Sequence, residues 1–328
     1  MTGFASLELH LHLEGAAPAS FIRGLAQEKH IDISGIFDEY GDYSYSGFAH
    51  FLKVYEAASS VLTTPEDYAR LTRAVLEQSV ENGVIYCEAF LSPDFCGGRD
   101  LGAWREYLQA IREAGEAAER DMGVTLRGIV TCIRHFGPDA ARETALCAAE
   151  TAGDWIVGFG MAGDERRGEP GDFAWSFDMA REAKLRLTAH AGEWRGPEAI
   201  RATLRDLRVE RIGHGVRAIE DAALVEELAE NGTVLELCPG SNIALGLYPD
   251  WRDHPVAELY RRGVRVTVST DDPPFFHTSM RHEFERLHEI FDGDDAVLQK
   301  INRTALDAAF CDADTREKIA KLLEAGHA

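Results

Sequence analysis

Positive charge is the first shortage in this 328-residue chain: 34 Lys and Arg stand against 56 Asp and Glu, a formal net charge of −22. Such a field repels phosphate backbones and anionic headgroups, so no nucleic-acid or membrane partner is expected and a small uncharged ligand is. Lysine is scarcer still, with six copies at Lys29, Lys53, Lys184, Lys300, Lys318 and Lys321. Cysteine is sparse, and Cys87, Cys96, Cys132, Cys147, Cys238 and Cys311 form no Cys-x-x-Cys pair. That excludes a thiolate metal site and a disulfide framework, leaving small hydrophobes in apolar runs. No stretch approaches the roughly 18 apolar residues of a membrane span. The start of the chain lacks the basic and long apolar regions of a signal peptide, so a cytoplasmic location is expected.

A glycine-rich nucleotide loop is also missing. After the first apolar run stands Leu13-Glu14-Gly15-Ala16-Ala17, which disfavours a doubly wound dinucleotide sheet. What is present is alternation. Eight short β-like runs (6–14, 84–92, 124–133, 156–163, 186–193, 211–215, 233–242 and 265–272) are separated mostly by amphipathic helical stretches. Thr64-Pro65-Glu66-Asp67 is a helix start, with a capping threonine, proline in the first turn and acids behind it. Asn82-Gly83, Gly123, Gly153, Gly232 and Gly263 mark helix ends before the next run. Strand–helix alternation implies parallel pairing, and eight repeats imply closure as a (β/α)8 TIM barrel. Hydrophobic residues make up 45% of the chain and no composition shift marks a linker, so residues 1–328 are expected to form one domain. The long connection after the first strand, about 15–83, is rich in Phe and Tyr; it reads as a helical lid or as an extra helical layer with its own small core. Residues 280–328 read as extra C-terminal helices over the outside or bottom of the barrel.

In a barrel the C-terminal strand ends assemble on one face. Those ends carry His10, His12 and Glu14; Arg134 and His135; Gly163; His190 and Glu193; His214; Ser241 and Asn242; and Asp271 with Asp272. Five of the twelve histidines fall there, a clustering that packing alone does not explain because buried polar groups need partners. His30, His50, His254, His277, His282, His288 and His327 lie elsewhere and read as ordinary helix or loop residues. In His10-Leu11-His12 the two imidazoles project from one strand face. With His190 and Asp271 they make three imidazoles and a carboxylate, a set suited to zinc with a position left for water; cobalt, manganese or iron also suit it. No lysine stands at a middle strand end to bridge two metals, so one ion per chain is expected. Such an ion lowers the pKa of its water to about 7. Glu193 is then placed to shuttle protons, His214 to orient or deprotonate the water, and Asp272 to hydrogen-bond substrate. Gly163 offers a backbone amide that a flat ring can approach, or simply a tight turn.

Glu8-Leu9-His10-Leu11-His12-Leu13-Glu14-Gly15, Met161-Ala162-Gly163-Asp164-Glu165, His190-Ala191-Gly192-Glu193, Ile212-Gly213-His214-Gly215, Cys238-Pro239-Gly240-Ser241-Asn242 and Ser269-Thr270-Asp271-Asp272-Pro273 together resemble the adenosine/adenine deaminase family. The motifs run in order from residue 8 to 273. The resemblance implies hydrolytic deamination of a 6-aminopurine on a (β/α)8 barrel with one zinc. It implies zinc ligation by His10, His12, His190 and Asp271, and protonation of the purine N1 by Glu193. His214 would steer the attacking hydroxide, Asp272 would meet N7 and the Gly163 amide N3. His12, Glu14, Gly163 and Asp272 are the residues expected against substrate. Because attack at C6 places charge on the ring, Glu193 must hold a proton when substrate binds, which requires a raised carboxyl pKa. Adenosine-specific members carry Asp, bound to the ribose 5′-hydroxyl, where this chain has Glu14, a residue also common in adenine-specific relatives. The aromatic stretch Phe275-Phe276 after Asp272 is closer to the adenosine branch. Adenosine, with 2′-deoxyadenosine, is therefore the substrate expected, with adenine or a modified aminopurine as the alternative. Another mononuclear metal-dependent amidohydrolase and a catalytically silent barrel are the other classes. Cytidine-type deaminases are excluded, since Cys238 has no second cysteine in a Pro-Cys-x-x-Cys frame.

Overall fold

The computed structural model describes residues 5–326, so His327 lies outside the described residues. Eight strands run in chain order: β1 (Ser6–His12), β2 (Val84–Leu91), β3 (Thr125–Ile133), β4 (Ile156–Ala162), β5 (Arg186–Ala191), β6 (Arg211–His214), β7 (Val234–Leu237) and β8 (Arg265–Val268). Each pairs in parallel with the next. The sheet returns on itself just beyond β8, where Leu11 bridges Asp271. There the His12 N–H donates to the Asp271 carbonyl and the Asp271 N–H to the His10 carbonyl, both at 3.1 Å. The expected TIM barrel is the fold, with helices between the strands.

Local chemistry accounts for the boundaries. Helix Pro65–Glu81 opens with a reciprocal cap: the Thr64 hydroxyl accepts the Asp67 N–H (3.2 Å) and the Asp67 carboxylate accepts the Thr64 N–H (2.9 Å). Gly123 and Gly232 close their helices in the left-handed conformation. Gly153 does not, because helix Pro138–Glu150 already ends at Thr151. One further expectation needs correction. The seventh run is a strand only to Leu237; Pro239 starts a helix through Ala244, placing Ser241 and Asn242 in its first turns. Within β1 the pairing with β2 slips between Glu8 and Leu11. The Glu8 carboxyl accepts the Thr270 N–H and hydroxyl.

The 15–83 connection is both lid and layer. Helix Phe48–Ser59 turns Phe48, Phe51, Leu52, Tyr55 and Glu56 to the mouth of the barrel. Ile22, Leu25 and Ile36 pack into the main core behind it. At the opposite end, helices Asp295–Ala308 and Ala313–Gly326 seal the foot of the barrel, packing Ala305, Leu306 and Ile319 beneath Leu7, Leu9 and Tyr86. Between them Phe310 packs against Phe90, Ile129 and Val157. All six cysteines are buried and unpaired. Among the described residues no helix is long and apolar enough to cross a membrane.

Candidate active site

The strand ends bring most of the expected residues together. His12 Nε2 lies 3.3 Å from His190 Nε2 and 3.3 Å from Asp271 Oδ1, and His10 Nε2 lies 3.5 Å from the same oxygen. Two ligands on a tetrahedral ion at about 2.0–2.1 Å are roughly 3.3 Å apart, so these three separations are compatible with a shared ion. A second sign is the His10 Nε2 atom, buried with no hydrogen-bond partner. His214 stands on the other side of the same carboxylate, its Nε2 3.7 Å from Asp271 Oδ2 and 3.9 Å from Glu193 Oε2. Ligand atoms of His10, His190, His214 and Asp271 lie within 4.8 Å of one another, as do those of His12, Asp271 and Asp272, so these groups could hold a metal ion.

Three of these groups are oriented from behind. His10 Nδ1 donates to Glu236 at 2.7 Å, and His190 Nδ1 donates to the Met161 carbonyl at 2.9 Å, which turns both Nε2 lone pairs toward the cluster. Ser241 donates to Asp271 Oδ2 at 2.7 Å. Burial would lower the His10 pKa, but the neighbouring Asp271 and Glu236 carboxylates outweigh it and hold it at about 9. A cation on Nε2 would take the place of that proton. Asp271 and His214 are held at positive φ, 69° and 58°, a costly conformation for residues with a Cβ that the surrounding bonds enforce. Gly213 is needed for space: a Cβ there would sit 2.9 Å from His10 Cε1.

Behind His214 a chain of bonds assigns the proton positions. The Val256 N–H donates to His254 Nδ1 (3.2 Å), and His254 Nε2 donates to Asn242 Oδ1 (3.1 Å). Asn242 Nδ2 in turn donates to His214 Nδ1 (3.4 Å). His214 therefore carries its hydrogen on Nε2, facing the cluster, and burial pushes its pKa down to about 3, keeping it neutral. His254, which reads as an ordinary residue in the sequence, anchors this chain.

Two acids of the site are shifted toward the protonated form. Burial, with Asp271 and Glu165 nearby, lifts Glu193 well above the carboxyl range. Burial and adjacent Asp271 do the same for Asp272, whose Oδ1 has no hydrogen-bond partner. Both line the cavity under the lid with His12, His214 and Gly163. Gly163 has φ 95°, and a Cβ there would lie 2.7 Å from His135 Nδ1. Glu14 is buried to one side, accepting the Tyr68 hydroxyl at 3.0 Å with the Tyr55 hydroxyl at 3.5 Å.

Three supporting residues escape a reading of the sequence. Glu236 holds His10, and Arg211 lies between Glu236 (2.5 Å) and Glu88 (2.7 Å) inside the barrel. Glu165 accepts four successive backbone N–H groups, from Gly192, Glu193, Trp194 and Arg195, and so fixes the loop that carries Glu193. The signal for the first two is a lone charge inside an apolar strand, which requires a buried partner without naming it.

Comparison with known proteins agrees with this geometry. The pattern of the family described as adenosine deaminase matches residues 6–325. An adenine deaminase of Agrobacterium fabrum is 46% identical over 312 residues, covering 95% of each chain. The crystal structure of an adenine deaminase from Arthrobacter aurescens superposes with a TM-score of 0.89 at 30% identity, over 98% of both chains. An amidohydrolase from Burkholderia ambifaria, solved with bound zinc, shares the fold at 24% identity (TM-score 0.84), with 99% of this chain and 91% of that one covered. The chain belongs to the adenosine deaminase family. It is a hydrolytic deaminase whose substrate is an aminopurine.

Proposed function

We propose that this enzyme converts adenine and water to hypoxanthine and ammonia, taking the alternative substrate in preference to the adenosine that the Phe275-Phe276 stretch favours. The observation that carries the choice is the condition of Glu14. At the position where adenosine-specific members bind the ribose 5′-hydroxyl, its carboxyl is buried and bonded to Tyr68, beside the Tyr55 hydroxyl of the lid helix. Relatives 46–47% identical over most of the chain carry the name adenine deaminase, in support of the same reading.

Zinc, one ion per chain, is the metal we assign to His10, His12, His190 and Asp271, because three imidazoles and a carboxylate without thiolate suit a borderline cation. Bound there, it would supply water with a pKa of about 7. Glu193 enters protonated and gives its proton to N1, which removes the ring's resistance to attack at C6. His214, with its hydrogen on Nε2, steers the attacking oxygen as a donor. Protonated Asp272 donates to N7, and the Gly163 N–H to N3. A C6–O bond forms and the C6–N6 bond breaks. Of the two protons on the water, one ends on N1 by way of Glu193 and the other leaves with ammonia.

A spectrophotometric panel of adenine, adenosine and 2′-deoxyadenosine tests the substrate. Adenine should be converted to hypoxanthine with a kcat/KM at least about a hundredfold above either nucleoside. A preference for adenosine would refute the choice.

A further inference from the structure

We propose that Glu56 and His135 recognise the N9–H edge of the purine and are the pair that separates adenine from its nucleosides. The inference rests on the adenine reading above. His135 follows β3 and Glu56 projects from the lid helix Phe48–Ser59; both line the cavity. His135 Nδ1 accepts the Asp164 N–H at 3.2 Å, which assigns the ring hydrogen to Nε2. That Nε2 faces Glu56 Oε1 at 3.7 Å. The imidazole abuts Gly163, since a Cβ on Gly163 would come within 2.7 Å of His135 Nδ1. The pair therefore stands beside the amide assigned to N3.

N3 and N9 flank C4 on one edge of the purine. The prevalent tautomer of adenine carries its ring hydrogen on N9, and that hydrogen needs an acceptor. His135 cannot provide one, because its Nε2 is a donor. The neighbouring wall, Phe95 and Ile133, is apolar. Glu56 can: with one carboxylate oxygen toward His135 Nε2, the other is left for N9–H. A nucleoside replaces that hydrogen with a sugar carbon and sets the ribose against the carboxylate. Because Glu56 is half-exposed on a surface helix, its replacement should leave the fold intact. If the pair only latched the lid, its loss would affect all purines alike.

The test compares kcat/KM for adenine and 9-methyladenine in the metal-loaded enzyme and in its Glu56→Ala and Glu56→Gln variants. Glu56→Ala should lower the adenine value about tenfold to a hundredfold without an equal fall for 9-methyladenine, and Glu56→Gln should be intermediate. Inhibition by hypoxanthine against 9-methylhypoxanthine reads the same contact without turnover and should lose its preference in parallel. Equal losses on both substrates, or no loss on adenine, would overturn the inference. A wild-type enzyme that prefers adenosine to adenine removes the adenine reading and this inference with it. A wild-type preference for adenine whose N9 discrimination survives in Glu56→Ala removes the inference alone.

Discussion

Replacing Glu236 by Gln should loosen the metal ion while leaving the barrel folded. Glu236 is fully buried in β7, where it accepts His10 Nδ1 at 2.7 Å and the Thr188 hydroxyl at 3.0 Å. Burial opposes its charge, but Arg211 and His10 outweigh that and hold its pKa below the usual value, so it is ionised. The carboxylate keeps the His10 hydrogen on Nδ1 and leaves Nε2 for the metal. An amide retains the shape and one acceptor, but its NH2 can neither accept from His10 nor neutralise Arg211. Losing such a supporting carboxylate costs about 10–100-fold in metal affinity, or roughly 1.4–2.7 kcal/mol. Arg211 keeps Glu88 at 2.7 Å and the Ala308 carbonyl at 3.1 Å, so the fold should lose less than the roughly 3–5 kcal/mol of a fully broken buried pair. Competition with a chromophoric chelator measures the affinity, and melting of the metal-free forms measures the fold. Unchanged metal affinity in a folded Glu236→Gln protein would refute the account of how His10 is held.

Three other outcomes are expected. Glu193→Gln should lower kcat about 10²–10⁴-fold with metal content and Tm retained, measured by hypoxanthine formation; a near-wild-type kcat would remove Glu193 as proton donor. Glu283 is lifted by burial from the ordinary 4.5 to about 8, against the Thr278 hydroxyl and the Gly240 N–H. Its stabilisation is full below about pH 4.5 and is lost as the pH rises through about 8, on the order of 5 kcal/mol at most once it is fully ionised. Glu283→Gln should therefore narrow the fall in Tm between pH 6 and pH 10, and an identical fall in both proteins would contradict this. Gly163→Ala forces a Cβ into a position with φ 95° and 2.7 Å from His135 Nδ1. It should cost about 1–2 kcal/mol of stability and raise the KM for adenine, whereas unchanged kinetics would exclude the amide contact.

The barrel and its metal cluster were legible because both are written in local periodicity. Strand ends follow one another in chain order, and closure turns that order into a ring, so His10, His190 and Asp271 meet without any pairing having to be inferred. What was illegible is what depends on a partner distant in sequence. Glu165 meets the 192–195 amides across a separation of 27 to 30 residues, and nothing in Gly163-Asp164-Glu165 announces that loop. The slip at Glu8 hides because the Leu-x-Leu-x pattern is uninterrupted; the pairing with β2 departs from it, not the composition. Cys238-Pro239 looks like the continuation of an apolar strand, yet proline in the first turn begins a helix there. The choice of purine hung on Glu14, whose length alone gave no hint that Tyr68 holds it.

The seal at the foot of the barrel has a consequence for the order of events during synthesis. Phe310 lies over the Arg211 guanidinium, 3.6 Å from its central carbon to the ring centroid, and its N–H donates to Glu88 at 2.5 Å. The same Arg211 contacts Glu236, which orients His10. A polar column thus runs from a segment translated late to the first histidine translated early. While residues 308–311 are still in the ribosome, Arg211 and Glu88 have each other but lack the Ala308 carbonyl and the Phe310 N–H, and the column cannot be completed from below. The support beneath His10 is therefore complete only once residues 308–311 have joined the barrel.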